Sequence, residues 1–271
     1  MPNIAEKVRR LERIRLTLRR RYGQPPPVTV THPVEHAMRT ILSEEATSDQ
    51  VEQAMGRIRR YFVDLNDLRV SRPREIRDVL GPNFPRSGQK ARVMPRILDQ
   101  VFKQFNSMVW DFLHEMGKVE ARAYFEKLED VRPFLAAVLA RDCTGAHAFP
   151  VDLDVARVLS RMGILDPTAH SEAEMQAMLE RAVKANHAYE SHWVIKRLAE
   201  DHCTAPTAVC VGCTVFKMCP AATLPPRGKA QAKKAKAAAP KAAAPKAAPA
   251  KKKPAKSAGK GKAASKAKKR R

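Results

Sequence analysis

Four cysteines, Cys203, Cys210, Cys213 and Cys219, fall within 17 residues at the spacing C-x6-C-x2-C-x5-C. A thiolate is a soft anionic ligand. Four of them this close can surround one tetrahedral zinc ion or hold the corners of a [4Fe–4S] cube. Zinc sites usually pair two short knuckles, and only Cys210 and Cys213 form one here, so spacing alone leaves both chemistries open. Cys143 lies far from the group and reads as a small buried hydrophobe. A second grouping is Asp152-Leu153-Asp154, placed just before the apolar positions Val155, Val158, Leu159 and Met162. An Asp there can cap the helix those positions predict, or offer a carboxylate for chemistry.

The elements around these residues are helical. Met38, Ile41 and Leu42, then Val51, Ala54, Met55, Ile58 and Phe62, follow a 3.6-residue period, with Thr47-Ser48-Asp49 supplying an N-cap between the two runs. Ile76, Val79 and Leu80 mark a short helix closed by Gly81-Pro82. A stripe from Ala91 to Phe105 predicts another helix, with Pro95 in its early turns. Residues 119–128 and 131–141 read as two helices with almost no loop between them. The pattern continues through Val155–Met162, Met175–Ala182 and Trp193–Leu198. Alternation is confined to Val28–Thr31. These patterns predict an all-α body with short connections.

The chain has 271 residues, 51 Lys+Arg and 28 Asp+Glu, for a formal net charge of +23. This argues against an acidic binding module and for a polyanionic partner. The charge is concentrated at the ends. Residues 226–271 hold 18 basic side chains and no acid, and residues 1–25 hold 8 against 2, so the body between is close to neutral. The C-terminal segment is built from Ala, Lys and Pro with no large apolar residue after Leu224. It is expected to be disordered and to condense on phosphates through counterion release, without reading base sequence. Its composition resembles the tails of linker histones and of Lys/Ala/Pro-rich bacterial nucleoid proteins. No run of 18 apolar residues occurs, so no membrane span is expected. Residues 5–21 are studded with Arg and read as a basic helix with Val8, Leu11, Ile14 and Leu18 on one face, not as a secretory signal. Clustered cysteines without such a signal favour ligation in a reducing compartment over disulfides.

The cysteine spacing, following a predicted helix, resembles the iron–sulfur loop of the endonuclease III family, the helix-hairpin-helix DNA glycosylases. Phe149 to Val158 is similar to that family's Val-Asp-Thr-His-x-x-Arg segment, Ile41 to Thr47 to its Leu-Leu-Ser-x-Gln-x-Thr, and Lys90-Ala91 to the Lys-Ala that opens another family helix. The resemblance covers residues 30–222. It implies a six-helix barrel domain with a degenerate helix-hairpin-helix over 34–146 and an iron–sulfur cluster domain over 147–222. Residues 1–33 would be a basic helix and extended segment packing with the cluster domain, and 223–271 the disordered tail. It further implies a [4Fe–4S] cofactor on the four cysteines, duplex DNA as partner, and removal of a flipped-out damaged or mismatched base by a monomer. Asp152 would be the catalytic carboxylate, with Asp154 standing where the family has His. Lys217, Lys196 and Arg197, around the cluster loop, would be free to meet phosphates.

The sequence also departs from the family. The hairpin Leu-Pro-Gly-Val-Gly-x-Lys aligns with residues 128–134, which lack both glycines and place Phe134 at the lysine. The resemblance therefore implies no Schiff-base nucleophile there, and doubtful lyase activity. Glu45 takes the position of the glutamine that enters the DNA stack. Arg132 partly offsets Glu129 and Asp130 beside it, and Arg157 matches the motif arginine, so Glu45, Arg132, Phe134 and Arg157 are the candidate DNA and base-pocket residues. A basic residue from another element could replace the missing lysine, with Lys90 and Arg92 as loose candidates, but each reads more readily as a solvated helix position. A catalytically silent DNA-binding protein on the same scaffold is the alternative function. The tail suggests a bacterial cytoplasm with nucleoid association, or a nucleus in a eukaryote.

Overall fold

The computed structural model describes residues 4–223, so the proposed C-terminal arm lies outside the described residues. Within them the chain forms eleven α-helices and two short 3-10 helices, and no strand. The alternation at Val28–Thr31 yields no strand. That segment follows Pro25-Pro26-Pro27, and proline has no N–H to offer a ladder. No helix among the described residues is long and apolar enough to cross a membrane.

The apolar faces close over two cores. The first is enclosed by α2 (Pro33–Ser43), α3 (Ser48–Tyr61), α4 (Leu65–Val70), α5 (Pro73–Leu80), α6 (Ser87–Phe105), α7 (Lys118–Lys127) and α8 (Pro133–Thr144). Met38, Leu42, Met55, Ile76, Met94 and Trp110 fill it. The second joins α1 (Ile4–Tyr22) to α9 (Leu153–Arg161), α10 (Glu172–Ala182) and α11 (Ala185–Asp201). Leu11, Ile14 and Leu18, spaced three and four apart, bury the inner face of α1. Each such side chain contributes about 1.5–3 kcal/mol on leaving water. Two arginines of this basic helix are spent on packing. Arg15 is buried against Glu12 and Glu190, and Arg10 donates to the Met162 carbonyl at 3.1 Å.

Local signals set the helix ends near the site. Thr47 and Gln50 form a reciprocal capping box on α3, with each side chain accepting from the other's backbone N–H. Asp152 caps α9. Pro95 lies in the middle of α6, because that helix begins at Ser87, four residues before the apolar stripe. The connection from α7 to α8 is five residues long, and Asp130 within it takes φ 60°. The backbone keeps a turn that glycine would adopt without cost, and Asp tolerates it better than most residues.

Candidate active site and cysteine loop

Asp152 is 1% exposed. Its Oδ1 accepts from the Val155 N–H at 2.8 Å, and its Oδ2 accepts from Lys196 Nζ at 2.5 Å. Lys196, on α11, also donates to Asp154 Oδ2 at 2.6 Å and to the Ser43 carbonyl at 3.3 Å. Arg157, one turn along α9, donates to Asp154 Oδ1 at 2.7 Å. Two carboxylates thus face two cations in a covered centre. Burial alone would push the Lys196 ammonium down, but Asp152 and Asp154 hold it well above the usual lysine range. Burial likewise opposes ionisation of Asp154, and Lys196 and Arg157 hold its carboxyl below the ordinary value.

The α2–α3 connection is fastened to this centre. The Glu45 N–H donates to Asp154 Oδ2 at 3.2 Å, and Ser48 donates to Glu200 through both its N–H and its hydroxyl. Glu45 itself has φ 56°, and its side chain turns to Arg86 at 2.5 Å. A cleft of about 180 Å³ opens beside the connection, lined by Glu45, Thr47, Asp154, Arg157, Glu200 and Thr204. Asp154 reaches that cleft.

On the other side of the same connection lies Lys90, 3% exposed, whose Nζ donates to the Leu42 carbonyl at 3.0 Å and the Glu44 carbonyl at 2.6 Å. Its ammonium sits 4.7 Å from the Phe84 ring centre. The expectation of a solvated Lys90 is overturned, because the long side chain is drawn inward by carbonyls that α2 leaves without intrahelical donors. Arg92, two positions on, is exposed as expected. The Lys90 pKa is lowered to about 8, chiefly by desolvation, with Glu44 and Glu45 opposing. Lys196 departs from expectation in the same way. It is sequestered by the aspartates and does not present itself to phosphates, whereas Lys217 is exposed. Arg197 pairs with Glu200 at 2.9 Å.

Arg132 bridges two acids. It contacts Glu44, and meets Glu172 through Nε at 3.2 Å and Nη2 at 2.5 Å. Glu172 Oε1 accepts from the Phe134 N–H at 2.6 Å. The first turn of α8 therefore already holds an anion, and that anion is the protein's own carboxylate. Phe134 is 4% exposed and lines a small cavity with Ile41, Glu44, Lys90, Arg132 and Leu135. No amine stands at this position.

All four clustered cysteines line one cavity with Arg161, Val215 and Phe216. None is in a disulfide. Arg161 Nη1 lies 3.4 Å from Cys203 Sγ, and the Arg161 carbonyl is 3.5 Å from Cys219 Sγ. Arg157 donates to the Cys203 carbonyl at 2.9 Å, so one guanidinium ties the cysteine loop to Asp154. Burial pushes the thiols of Cys213 and Cys219 up, as does the proximity of the other cysteines. Four thiols around a shared cavity, with a guanidinium beside them to offset anionic charge, are a donor set that suits an iron–sulfur cube. Cys143 belongs to the first core, where burial raises its thiol to about 12.

Sequence reasoning gave Lys196 to the phosphate-facing surface, not to the aspartates, and missed Glu172 as a site residue. The signal for Lys196 was its place between Ile195 and Leu198 on an otherwise inward-facing helix, opposite two aspartates in need of a cation. Nothing local marks Glu172, because its partners are about 40 residues away.

This all-α architecture, with Asp152 at a helix start and a cysteine loop after the last long helix, is the helix-hairpin-helix DNA glycosylase fold. A trapped endonuclease III–DNA covalent intermediate superposes with TM-score 0.62 at 18% identity, covering 82% of this chain and 98% of that one. A thermostable thymine-DNA glycosylase gives TM-score 0.56 at 14% identity, over 79% and 96% of the chains. The Helicobacter pylori 3-methyladenine DNA glycosylase bound to 1,N6-ethenoadenine gives 0.52 at 14% identity, over 72% and 97%. No protein-family model matches the sequence, and no curated protein matches it.

Proposed function

We propose that the chain is a base-excision DNA glycosylase of the endonuclease III type, acting as a monomer on a damaged or mismatched base flipped from duplex DNA. The observation that carries this reading is Asp152. Its carboxyl group, fixed at a helix N-terminus by the Val155 N–H and by Lys196 Nζ, stands behind the α2–α3 connection. In hydrolysis the C1′–N bond breaks, its electron pair leaves with the base, and positive charge develops on the sugar. A carboxylate beside the sugar stabilises that charge until the oxygen of a water molecule bonds to C1′ and the water gives up its proton. Position 134 supplies no amine for a Schiff base, and Lys196 is held protonated, so neither is expected to support strand cleavage.

Cys203, Cys210, Cys213 and Cys219 would hold a [4Fe–4S] cluster, whose role here is to cross-link the loop after α11. The four thiols line one cavity, with Arg161 Nη1 3.4 Å from Cys203 Sγ. The basic arms would add affinity for DNA without choosing a site, in a bacterial nucleoid or a eukaryotic nucleus. Removing residues 226–271 is expected to weaken DNA binding and leave lesion preference unchanged.

The test is release of bases from duplexes carrying oxidised, alkylated or mismatched bases, with Asp152→Asn and Asp154→Asn alongside. The expected outcome is release of at least one base that Asp152→Asn abolishes. A second reading, DNA binding without turnover, is favoured by the engagement of both Asp152 oxygens and the full burial of its side chain. It predicts no release from any substrate and salt-dependent DNA binding that survives Asp152→Asn. Iron and acid-labile sulfide in anaerobically purified protein test the cluster, and zinc without iron would remove it.

A further inference from the structure

The far end of α3 carries a feature the excision reading does not use. Arg57, Arg60, Tyr61, Arg72, Arg74 and Glu75 line an open groove of about 640 Å³ between the last turn of α3 and the start of α5. Asp78 and Val79 complete it, so four guanidiniums face two carboxylates. Arg57 is committed to the fold, since it donates to the Val79 and Leu80 carbonyls at 2.9 and 2.7 Å. Arg60, Arg72 and Arg74 are exposed, and their side chains make no hydrogen bond or ion pair among the described residues. Elsewhere on the body, arginines such as Arg59, Arg69, Arg122 and Arg132 are paired with carboxylates. Both acids of the groove are engaged. Glu75 accepts from the Tyr61 hydroxyl at 3.1 Å, and Asp78 lies 3.8 Å from Arg77.

Tyr61 is 58% exposed. Its ring is fixed at one edge by the hydroxyl bond to Glu75 and by an edge-on contact with Phe62, with centroids 5.0 Å apart. A rigid, open aromatic face beside three unpaired guanidiniums combines the two elements that hold an unpaired nucleic-acid strand. Bases stack on the ring while phosphates meet the cations. A duplex satisfies the second element only, because its bases are stacked on each other. The α3 helix begins beside the α2–α3 connection and rises about 1.5 Å per residue, so the groove lies roughly 20 Å away along its 14 residues. It is separate from the Asp152 centre.

We propose that this groove is a second nucleic-acid site, which takes a single strand by stacking a base on Tyr61 and holding its phosphates with Arg60, Arg72 and Arg74. The inference does not depend on catalysis. It is tested on the full chain with oligothymidylate carrying 5-iodouracil. Irradiation is expected to give an adduct on the peptide containing Tyr61. The salt dependence of oligothymidylate binding reads the cations. With a slope of about 0.7 per phosphate contact for single strands, the Arg60→Ala/Arg72→Ala/Arg74→Ala variant should lose roughly 2 from the slope of log affinity against log salt. All three side chains are on the surface, and an unchanged circular dichroism melt confirms that the variant folds. Base release, where present, should persist. Adducts confined to the basic arms or to the α2–α3 connection, or an unchanged slope in the folded variant, would overturn the proposal. Equal adduct yield at Tyr61 from duplex and single strand would overturn the single-strand assignment.

Discussion

Lys90 and Lys196 are two inward-turned ammonium groups on either side of the same three residues. Lys90 donates to the carbonyls of Leu42 and Glu44, and Lys196 donates to that of Ser43. Their electrostatics are opposite. Lys196 has two carboxylates in contact, so its charge is held more firmly than in water. Lys90 has neutral carbonyls in contact and its acids further off, so desolvation prevails and its pKa falls to about 8. Burial therefore does not fix the state of a lysine. The nearest counter-charge does. The clamp they form positions Glu45, and with it the Asp154 contact, from both sides of the connection.

Four changes probe that contrast. The largest effect is expected from Lys196→Met, which leaves Asp154 with Arg157 alone and Asp152 with only the Val155 N–H. Removing one partner of a buried pair costs about 3–5 kcal/mol, read by urea unfolding at pH 7. Asp154 is held below its ordinary value of 3.8, so its stabilisation is present above that pH and is lost as pH falls through the folded value. The gap between the variant and the parent should narrow in acid. A gap independent of pH would mean that packing, not charge, was lost.

Lys90→Met should behave differently. The folded chain releases the Lys90 proton near pH 8 and the unfolded chain near 10.5. Between those values the unfolded state binds more protons, so stability rises with pH, by an amount on the order of 3 kcal/mol. The methionine variant should lack that rise, and should be nearly as stable as the parent below pH 8. A parent curve that parallels the variant's through this window would show that the amine stays charged.

Arg132 is the intermediate case, a cation with two carboxylates but with a partly exposed side chain. Glu172→Gln is expected to cost only about 1 kcal/mol, combining a weakened cap on α8 with a screened ion pair. It should also strengthen DNA binding at low salt by freeing Arg132. Unchanged affinity would mean that Arg132 faces no phosphate. The smallest effect belongs to the turn before it. Asp130→Gly relieves a residue at φ 60° and should stabilise by about 0.5–1 kcal/mol in thermal unfolding. A loss would show that the Arg96–Asp130 pair outweighs the backbone term.

Much of the scaffold was legible because its determinants are local. Apolar spacing marked α2, α3 and α9, Thr47 and Asp152 marked their starts, and Gly81 marked the end of α5. The boundaries of α6 were not, since its first turn carries Ser87, Gly88 and Gln89, which give no apolar signal. The candidate site was legible in part. Asp152 and the four cysteines could be chosen from type and spacing. The roles of Lys90 and Lys196 were misread as solvated faces, because a lysine on a helix looks the same whether water or a carboxylate waits at its tip.

By itself the sequence determined the all-α composition, the helix caps, the cysteine spacing and the strongly basic ends, since each depends on residues within a few turns of one another. Tertiary structure decided which charges meet. It brought Lys196 to Asp152 across 44 positions and Glu172 to Arg132 across 40. It left Arg60, Arg72 and Arg74 without hydrogen-bond or ion-pair partners among the described residues, on an open face. The physical reason is that a side chain's charge state and availability depend on the few ångströms around its tip, and those are filled by elements distant in the chain.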